Sequence, residues 1–454
     1  MRAIIAEFIT SDVDTGLATH LEFSKNKSQN IFCSRINRET SEVQPEEEEE
    51  SDNSDEVTVT SSMNSDEEEE QISSVEKFGL MVRQGIEYAQ EKSALQRVKG
   101  LTQLRQILQT RAAEDCELDN LHVTICDCIE RCLKRGAGNA EKVAAVRLAS
   151  MLMITSLNLT DGLSDEIYLV LQPPLLSICQ DPTVAFAVRE EACKAAAMLA
   201  YFGAVEYTHL QDTLNSLHNV FSKALPKGNG ELPNLQAPCL LMHSAALQGF
   251  VLLLTLAHKE DVLTRTPSLL AELTSVLETR DLEMRTEAGV GVAMLFELAR
   301  ESPAFGFKRV NELLNVLNEL ATDSQKHRSK KERKTQRAVF RTIVTSIEEE
   351  SRPAEAVYLA HKRAKDTIEI DSWAVKCRFD AVLHALEGGL NVHFIHNQGL
   401  RSSFGLDACP AVMEQECKDE RKNRRRLAEL MSKERNLLRN KCRDNRAIAV
   451  TYDD

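Results

Sequence analysis

The sequence predicts an all-α fold: an armadillo/HEAT-like α-solenoid with a disordered acidic N-terminal tail and a basic C-terminal helix. The first observation is an amphipathic pattern between Asp181 and Ala200, in which apolar residues recur every three or four positions and Arg189 faces the other way. The second is that this pattern returns at a regular spacing. The third is that 43% of residues are hydrophobic but only 5% are aromatic, so Leu and Ala must supply the packing.

The repeat is carried by segments that share one helical pattern: Val146–Ser150, Val188–Ala192, the divergent Cys239–Leu254 and Met284–Ala288. Arg147 and Arg189 are 42 positions apart, and Arg189 and Arg285 are 96 apart, which is twice 48. A period of roughly 40 to 47 residues is typical of HEAT and armadillo repeats, in which stacked helix pairs bury their apolar faces on their neighbours. The alternative is an irregular all-helical domain whose Ala-rich helices resemble one another by chance.

Residues 1–74 form the predicted acidic tail. From Gln44 to Glu70 there are thirteen Asp and Glu residues and no Lys or Arg, which accounts for most of the net charge of −15. Such a segment repels itself and has too little apolar surface to offset the entropy of ordering, so we expect disorder. Ser51, Ser54 and Ser65 precede acids and suit an acid-directed kinase. An unmodified, solubilising tail is the alternative.

Residues 75–322 form the predicted solenoid. Helical patterns cover 75–91, 93–112 and 117–134 before a break at Gly136–Gly138. Pro173–Pro174 is expected to separate two helices, and Leu225–Pro233 has the composition of a loop. Glycine and proline therefore fall between the periodic segments.

The composition places the chain inside the cell, with cytoplasmic and nuclear localisation expected. The longest apolar run, Gly249 to Ala257, is well short of the ~20 residues that a membrane helix needs. Cys126, Cys128 and Cys132 lie in a helical pattern as small buried groups. The alternative is a zinc site, but no histidine has ligand spacing to them. We expect no metal, no cofactor, no membrane and no small-molecule substrate.

Residues 323–412 are predicted as a helical region that continues the solenoid. Lys326 to Arg341 carries eight Lys and Arg against one Glu, and its apolar positions predict a helix docked on the core. Trp373 is expected to anchor a helix by burial, with ligand stacking as the alternative. His393 and His396 follow two glycines in a possible extended segment, and we expect a structural role.

No catalytic motif occurs: we find no phosphate-binding Gly-rich loop, no nucleophile elbow and no His-Glu-x-x-His. The catalytic residues are therefore predicted as none, and the function as binding.

Residues 413–454 are predicted as a basic amphipathic helix and tail. Lys418 to Arg446 holds twelve Lys and Arg against five acids. Such charge favours phosphates, and without aromatic residues in the tail it favours the backbone and shape of structured RNA. The alternatives are a solvated helix face or nuclear-import signals, and the acidic tail could also shield the basic one.

The candidate RNA- and phosphate-binding residues of the tail are Arg421, Lys422, Arg424, Arg425, Arg426, Lys433, Arg435, Arg439, Lys441, Arg443 and Arg446. A secondary basic cluster consists of Lys326, Arg328, Lys330, Lys331, Arg333, Lys334 and Arg337.

Three motifs resemble the interferon-related developmental regulator family: Lys326–Val344, Asp371–Asp380 and Asn440–Ala447. The resemblance covers roughly Ser74 to Ala447. It implies a non-enzymatic regulator of gene expression with an armadillo-like fold. Members are described as transcriptional co-regulators that associate with histone deacetylase complexes, and as factors that hold inactive ribosomes by placing the C-terminal segment in the messenger RNA path.

Two functions are therefore expected. In the first, the solenoid docks on protein and the basic C-terminal helix binds the ribosome and ribosomal RNA, which represses translation. In the alternative, the solenoid is a nuclear scaffold that recruits complexes of the histone deacetylase type through its groove. Loss of the residues after Lys418 would abolish the first function but not the second.

Overall fold

The computed structural model describes residues 74–410, apart from 112–115, 160–161, 227–230, 280, 301, 303–304, 306–308, 323–329 and 362–363. The predicted acidic tail and the predicted basic helix and tail at 413–454 lie outside the described residues, as do Ser51, Ser54 and Ser65.

Twelve helices precede the only two strands of the described chain, and they stack as six successive pairs. The first helices of the pairs form the outer row: α1 (Ser74–Gln90), α3 (Cys116–Arg135), α5 (Leu163–Gln180), α7 (Tyr207–Phe221), α9 (Lys259–Val276) and α11 (Val310–Thr322). The second helices form the inner row: α2 (Ala94–Thr110), α4 (Asn139–Ser156), α6 (Phe186–Gly203), α8 (Ala237–Leu254), α10 (Leu282–Ala299) and α12 (Lys330–Glu348).

The spacing of the inner row confirms the α-solenoid. Successive inner helices start 45, 47, 51, 45 and 48 residues apart. Each inner helix packs on its outer partner and on the next inner helix, as stacked repeats require. The predicted helices at 75–91, 93–112 and 117–134, the break at Gly136–Gly138 and the burial of Cys126, Cys128 and Cys132 are confirmed.

Two arginines of the repeat pattern are buried, and the prediction that Arg189 faces away from the core is wrong. Arg189 donates through Nε and Nη2 to the carbonyl oxygen of Cys179 at 3.1 and 2.9 Å. Arg285 likewise donates to the carbonyl oxygen of Thr279 at 2.7 Å. Both are the fourth residue of an inner helix. Arg189 contacts the last turn of the preceding outer helix, whereas Arg285 contacts the loop after it and Oε1 of Gln336 at 2.9 Å. Because these acceptors satisfy the guanidinium, its burial is tolerated.

The prediction that Pro173–Pro174 separates two helices is also wrong, because both prolines lie inside α5. Packing on both neighbours offsets the two lost backbone donors. Gln172 illustrates this packing: its Nε2 donates to the carbonyl oxygen of Ala196 in α6 at 3.1 Å and to the hydroxyl of Thr213 in α7 at 3.0 Å.

Residues 355–370 form a β-hairpin in a region that was predicted to be helical. Strand β1 (Glu355–His361) pairs antiparallel with β2 (Ala364–Ile370), and Tyr358 lies opposite Thr367. The inward side chains, such as Leu359 and Ile368, are buried. Their period of two is the signature of a half-buried strand.

The chain then folds back along the inner row. Helix α13 (Trp373–Leu386) crosses α10, α8, α6 and α4, and a 3-10 turn and α14 (Leu390–His396) reach α2, followed by α15 (Gln398–Ser403). At one end, the carboxylate of Glu297 in α10 accepts from the backbone N–H of Trp373 at 2.8 Å. At the other, Nε2 of Gln109 in α2 donates to the carbonyl oxygen of Leu386 at 2.7 Å. The inner row is therefore covered by the protein's own chain.

Trp373 is 2% exposed and donates to the hydroxyl of Ser346, so its predicted anchoring by burial is confirmed. The prediction of an extended segment at His393 and His396 is wrong, because both lie in α14. His393 is buried, and its Nε2 hydrogen-bonds the carbonyl oxygen of Leu108 at 2.9 Å. Helix formation here lets one face of a seven-residue segment dock on the end of α2.

Helix α8 is long and apolar enough to cross a membrane, but 72% of it is buried inside the protein. As the middle of the inner row, it is apolar all round because neighbours surround it.

Candidate nucleic-acid interface

The secondary basic cluster lies at the start of α12. Lys330, Lys331 and Lys334 are exposed, and none of them has an ion-pair partner among the described residues. Arg337 is half-buried, and its Nε donates to the carbonyl oxygen of Arg333 at 3.2 Å. The lysines are therefore available to bind phosphates, whereas Arg333 and Arg337 are partly buried against the helix. Lys326 and Arg328 lie outside the described residues.

Arg341 extends this basic face and was left out of the predicted cluster. It is exposed and lies seven positions after Lys334, on the side of α12 opposite the buried Phe340 and Ile343. The predicted burial of that apolar face is confirmed. Helical spacing alone would have placed Arg341 with the lysines. We call Lys330, Lys331, Lys334 and Arg341 the α12 basic face.

All eleven candidate residues of the predicted basic helix lie outside the described residues. What the structure does describe is the point from which that segment departs. Arg401 is 2% exposed, and its Nε donates to the carbonyl oxygen of Asp407 at 2.9 Å. Its Nη2 lies 2.6 Å from Oδ2 of Asp366 in β2. The last described residues are therefore tied to the β-hairpin.

A small cavity lies between α13 and the inner row. Its volume is about 30 Å³, which suits a single water molecule. Its charged groups are paired: Arg147 lies 2.7 Å from Glu191, and His384 lies 3.5 Å from the same carboxylate. Burial alone would raise the pKa of Glu191, but His384 and Arg147 lower it to about 2. This site is a structural ion-pair network.

No group of three or more His, Cys, Asp or Glu residues in the described part of the chain could hold a metal ion. His361 and His396 form a pair, with Nδ1 of one 2.8 Å from Nε2 of the other. Cys239 lies 3.4 Å from His243, but burial raises the pKa of this thiol and lowers the pKa of His243 to about 4. That pair is therefore neutral, unlike an activated thiolate.

Glu287 in α10 lies near charged residues of α13, and its side-chain pKa is raised. Burial, with the nearby charges of Asp380 and Glu283, raises the pKa of Glu287 to about 8, although Lys194 and Lys376 partly oppose this. The unfolded chain ionises this group near its usual pKa of about 4.3. The folded protein therefore loses stability as the pH rises from about 4.3 to about 8.

We expect Glu287→Gln to raise the melting temperature at pH 8, because Gln resembles the protonated acid. The gain should be on the order of 2–4 °C and should vanish near pH 4. Thermal denaturation followed by circular dichroism across this pH range would measure it. Glu278→Gln, at an exposed position, is the control. An equal change in both variants, or a gain that grows at low pH, would contradict the expectation.

Comparison with known proteins identifies the family. The sequence profile of the interferon-related developmental regulators matches residues 47–348, and the interferon-related protein conserved region matches residues 397–447. The chain belongs to the interferon-related developmental regulator family. The second match begins at Asn397, the N-cap residue of α15, and continues into the predicted basic helix.

Individual family members are similar over most of their length. Interferon-related developmental regulator 1 of Rattus norvegicus is 32% identical over 368 residues, covering 80% of each chain. The protein of the same name from Homo sapiens is 31% identical over 369 residues, covering 80% of this chain and 79% of its own. Interferon-related developmental regulator 2 of Mus musculus is 31% identical over 365 residues, covering 79% and 80%. The resemblance predicted from the three motifs is confirmed.

Proposed function

We propose that this member of a family of gene-expression regulators binds ribosomes through ribosomal RNA and represses translation. In this proposal the segment Lys418 to Arg446, with twelve Lys and Arg against five acids, lies on RNA phosphates. The observation that carries the proposal is the rigid departure point of this segment. Arg401 ties Asp407 to the hairpin, so the chain is held at a fixed position eleven residues before Lys418.

The covered inner row supports binding through the tail rather than through a groove. A solenoid that grips a protein segment needs an open face along its repeats. Here α13 and α14 lie on that face, from α10 back to α2. The α12 basic face adds a second positive surface at the end of the solenoid.

The electrostatics make the proposal measurable. Each phosphate neutralised by Lys or Arg releases counterions, so the logarithm of the binding constant falls with the logarithm of salt concentration by about 0.7 to 0.9 per phosphate. If the protein makes six phosphate contacts, raising the salt from low to physiological concentration should therefore weaken binding by roughly a thousandfold. The segment Lys418 to Arg446 has no aromatic side chain on which an unpaired base could stack, which favours ribosomal RNA as a structured phosphate surface.

The test is sedimentation from cell lysate on a sucrose gradient at low and raised salt. We expect the full chain to migrate with ribosomes and to move to the top fractions as salt rises, whereas a chain that ends at Glu416 should stay at the top at both salt concentrations. A full-length variant with Lys331→Glu, Lys334→Glu and Arg341→Glu reports on the α12 basic face separately. Co-migration of the shortened chain would contradict the tail as the main contact.

The alternative function is a nuclear scaffold for transcriptional complexes of the histone deacetylase type. Exposed apolar side chains on the outer row favour it: Leu80, Val123 and Leu169 are 52%, 54% and 55% exposed on α1, α3 and α5. Such residues suit protein contacts. If the full chain also stays at the top of the gradient, this alternative becomes the leading one, and cytoplasmic action gives way to nuclear action.

A further inference from the structure

The outward face of the β-hairpin presents an unusually exposed aromatic ring. Tyr358 is 80% exposed, the largest exposure among the large apolar side chains of the described chain. Its neighbours on the same face of β1 are Ala356 and Ala360, which are too small to cover the ring. Thr367 of β2 lies directly opposite Tyr358, and the 80% exposure leaves most of the side chain open to a flat partner.

The strand that carries Tyr358 is held firmly. Its inward neighbour Leu359 is 2% exposed, and the backbone N–H of Ala360 donates to Oδ1 of Asn391 in α14 at 3.1 Å. In the partner strand, Asp366 lies 2.6 Å from the buried Arg401. The exposure of Tyr358 is thus a property of a fixed surface, and a ligand would lose little entropy in the protein by binding there.

The charge around the ring is positive toward the turn of the hairpin. Lys365 is exposed and lies opposite Ala360, two pairs from Tyr358 on the same face of the hairpin. Lys365 is the described positive charge at this end of the hairpin. Glu369 lies at the other end, opposite Ala356. A ligand with a flat ring and an adjacent anion would therefore place the anion toward Lys365.

The hairpin also stands where the basic segment departs. Arg401 contacts both Asp366 in β2 and the carbonyl oxygen of Asp407, three residues before the described chain ends. Lys418 follows eight residues after Pro410, a distance that an extended chain covers in at most about 30 Å. RNA bound at the start of the basic segment would therefore lie within about 30 Å of Pro410, close enough for the same RNA molecule to contact the hairpin.

We propose that Tyr358 is a stacking platform for an unpaired base of the RNA that the basic segment binds, with Lys365 on the adjacent phosphate. This inference rests on the proposed function and deepens it, because it adds single-stranded RNA to the phosphate surface. Base stacking on aromatic side chains is tolerant of sequence and combines with basic residues that follow the backbone. The chemistry thus differs from that of the segment Lys418 to Arg446, which has no aromatic residues.

The test compares the full chain with full-length Y358A and Y358F variants. Fluorescence anisotropy with a short fluorescein-labelled oligoadenylate, and with a labelled RNA duplex of the same length, measures both kinds of binding. We expect Y358A to weaken binding of the single strand by roughly 5- to 100-fold, to leave duplex binding unchanged and to keep the melting temperature. Y358F, which retains the ring, should bind like the unchanged protein.

The outcomes separate this inference from the proposed function. Single-strand binding that Y358A leaves intact, but that the chain ending at Glu416 loses, overturns the platform and leaves the proposed function standing. Equal losses in Y358A and Y358F point to the hydroxyl and overturn stacking. If Y358A binds both RNAs normally but loses its place on the ribosome gradient, the ring docks on protein, which also overturns the inference.

Discussion

Arg401→Ala is expected to loosen α15 from α14 and the β-hairpin and to lower stability by about 3–5 kcal/mol. The guanidinium is 2% exposed and serves several acceptors: the carbonyl oxygen of Phe394 at 2.7 Å, that of Asp407 at 2.9 Å, and the carboxylate of Asp366 at 2.6 Å. Removing it takes this donor from all three acceptors, and among the described residues the charged carboxylate of Asp366 keeps only the backbone N–H of Thr367. Loss of a buried partner costs far more than loss of an exposed ion pair.

Chemical denaturation and limited proteolysis would measure this effect. Arg309→Ala is the matched control, since Arg309 and Glu312 pair at 2.5 Å with side chains 73% and 65% exposed. That change should stay within about 0.5 kcal/mol. Arg401→Lys should cause most of the same loss of stability, because one ammonium group cannot make the hydrogen bonds of the planar guanidinium. Equal stability of the Arg401→Ala and Arg309→Ala variants would contradict this assignment.

Gly399→Ala is expected to disrupt the contact between α15 and the end of α4. A Cβ atom at this position would lie 1.9 Å from the carbonyl oxygen of Leu157, which is backbone and cannot rotate away. The adjacent Asn397 donates to the carbonyl oxygen of Ile154 at 2.8 Å, so the helix cannot shift without losing that bond. Overpacking against fixed atoms of this kind costs about 3 kcal/mol, at the upper end of the usual range.

Hydrogen exchange is the informative measurement for this variant, because the damage should be confined to residues near α15 while α6, α8 and α10 keep their protection. Gly388→Ala is the control: its added Cβ would meet nothing nearer than 3.9 Å. We expect that control to match the unchanged protein. Protection of α15 that survives Gly399→Ala would show that the backbone approach is looser than described.

The repeat architecture was predictable because it depends on local periodicity. Apolar spacing located helices such as α6 and α10, and their 96-residue separation pointed to stacked pairs. The buried guanidiniums of Arg189 and Arg285 were not predictable, since the carbonyls that accept from them lie at the end of the preceding helix or in the loop after it. From sequence alone, a charged residue is predicted to be exposed unless its hydrogen-bond acceptors are known.

The fold-back of the C-terminal region was beyond sequence reasoning for a different reason. It depends on contacts such as His393 with Leu108, which no periodicity links. The hairpin had a partial signal: Leu359 lies in a short continuous apolar run and Ile368 in an alternating one, but the whole region was predicted as helical from its neighbours. Within the candidate interface, helical spacing would have added Arg341, whereas Tyr358 became notable only once its exposure was known.

The fold-back also affects the order in which the protein folds during translation. A solenoid normally folds repeat by repeat as it leaves the ribosome, since each repeat needs only its neighbours. Here the bond between Leu108 and His393 spans 285 residues. At about 5–20 residues per second, the first repeats wait roughly 15–60 s for the segment that covers them. During that interval the apolar side chains that α13 and α14 later cover are exposed on the nascent inner row. Such transiently exposed apolar surface is what chaperones bind.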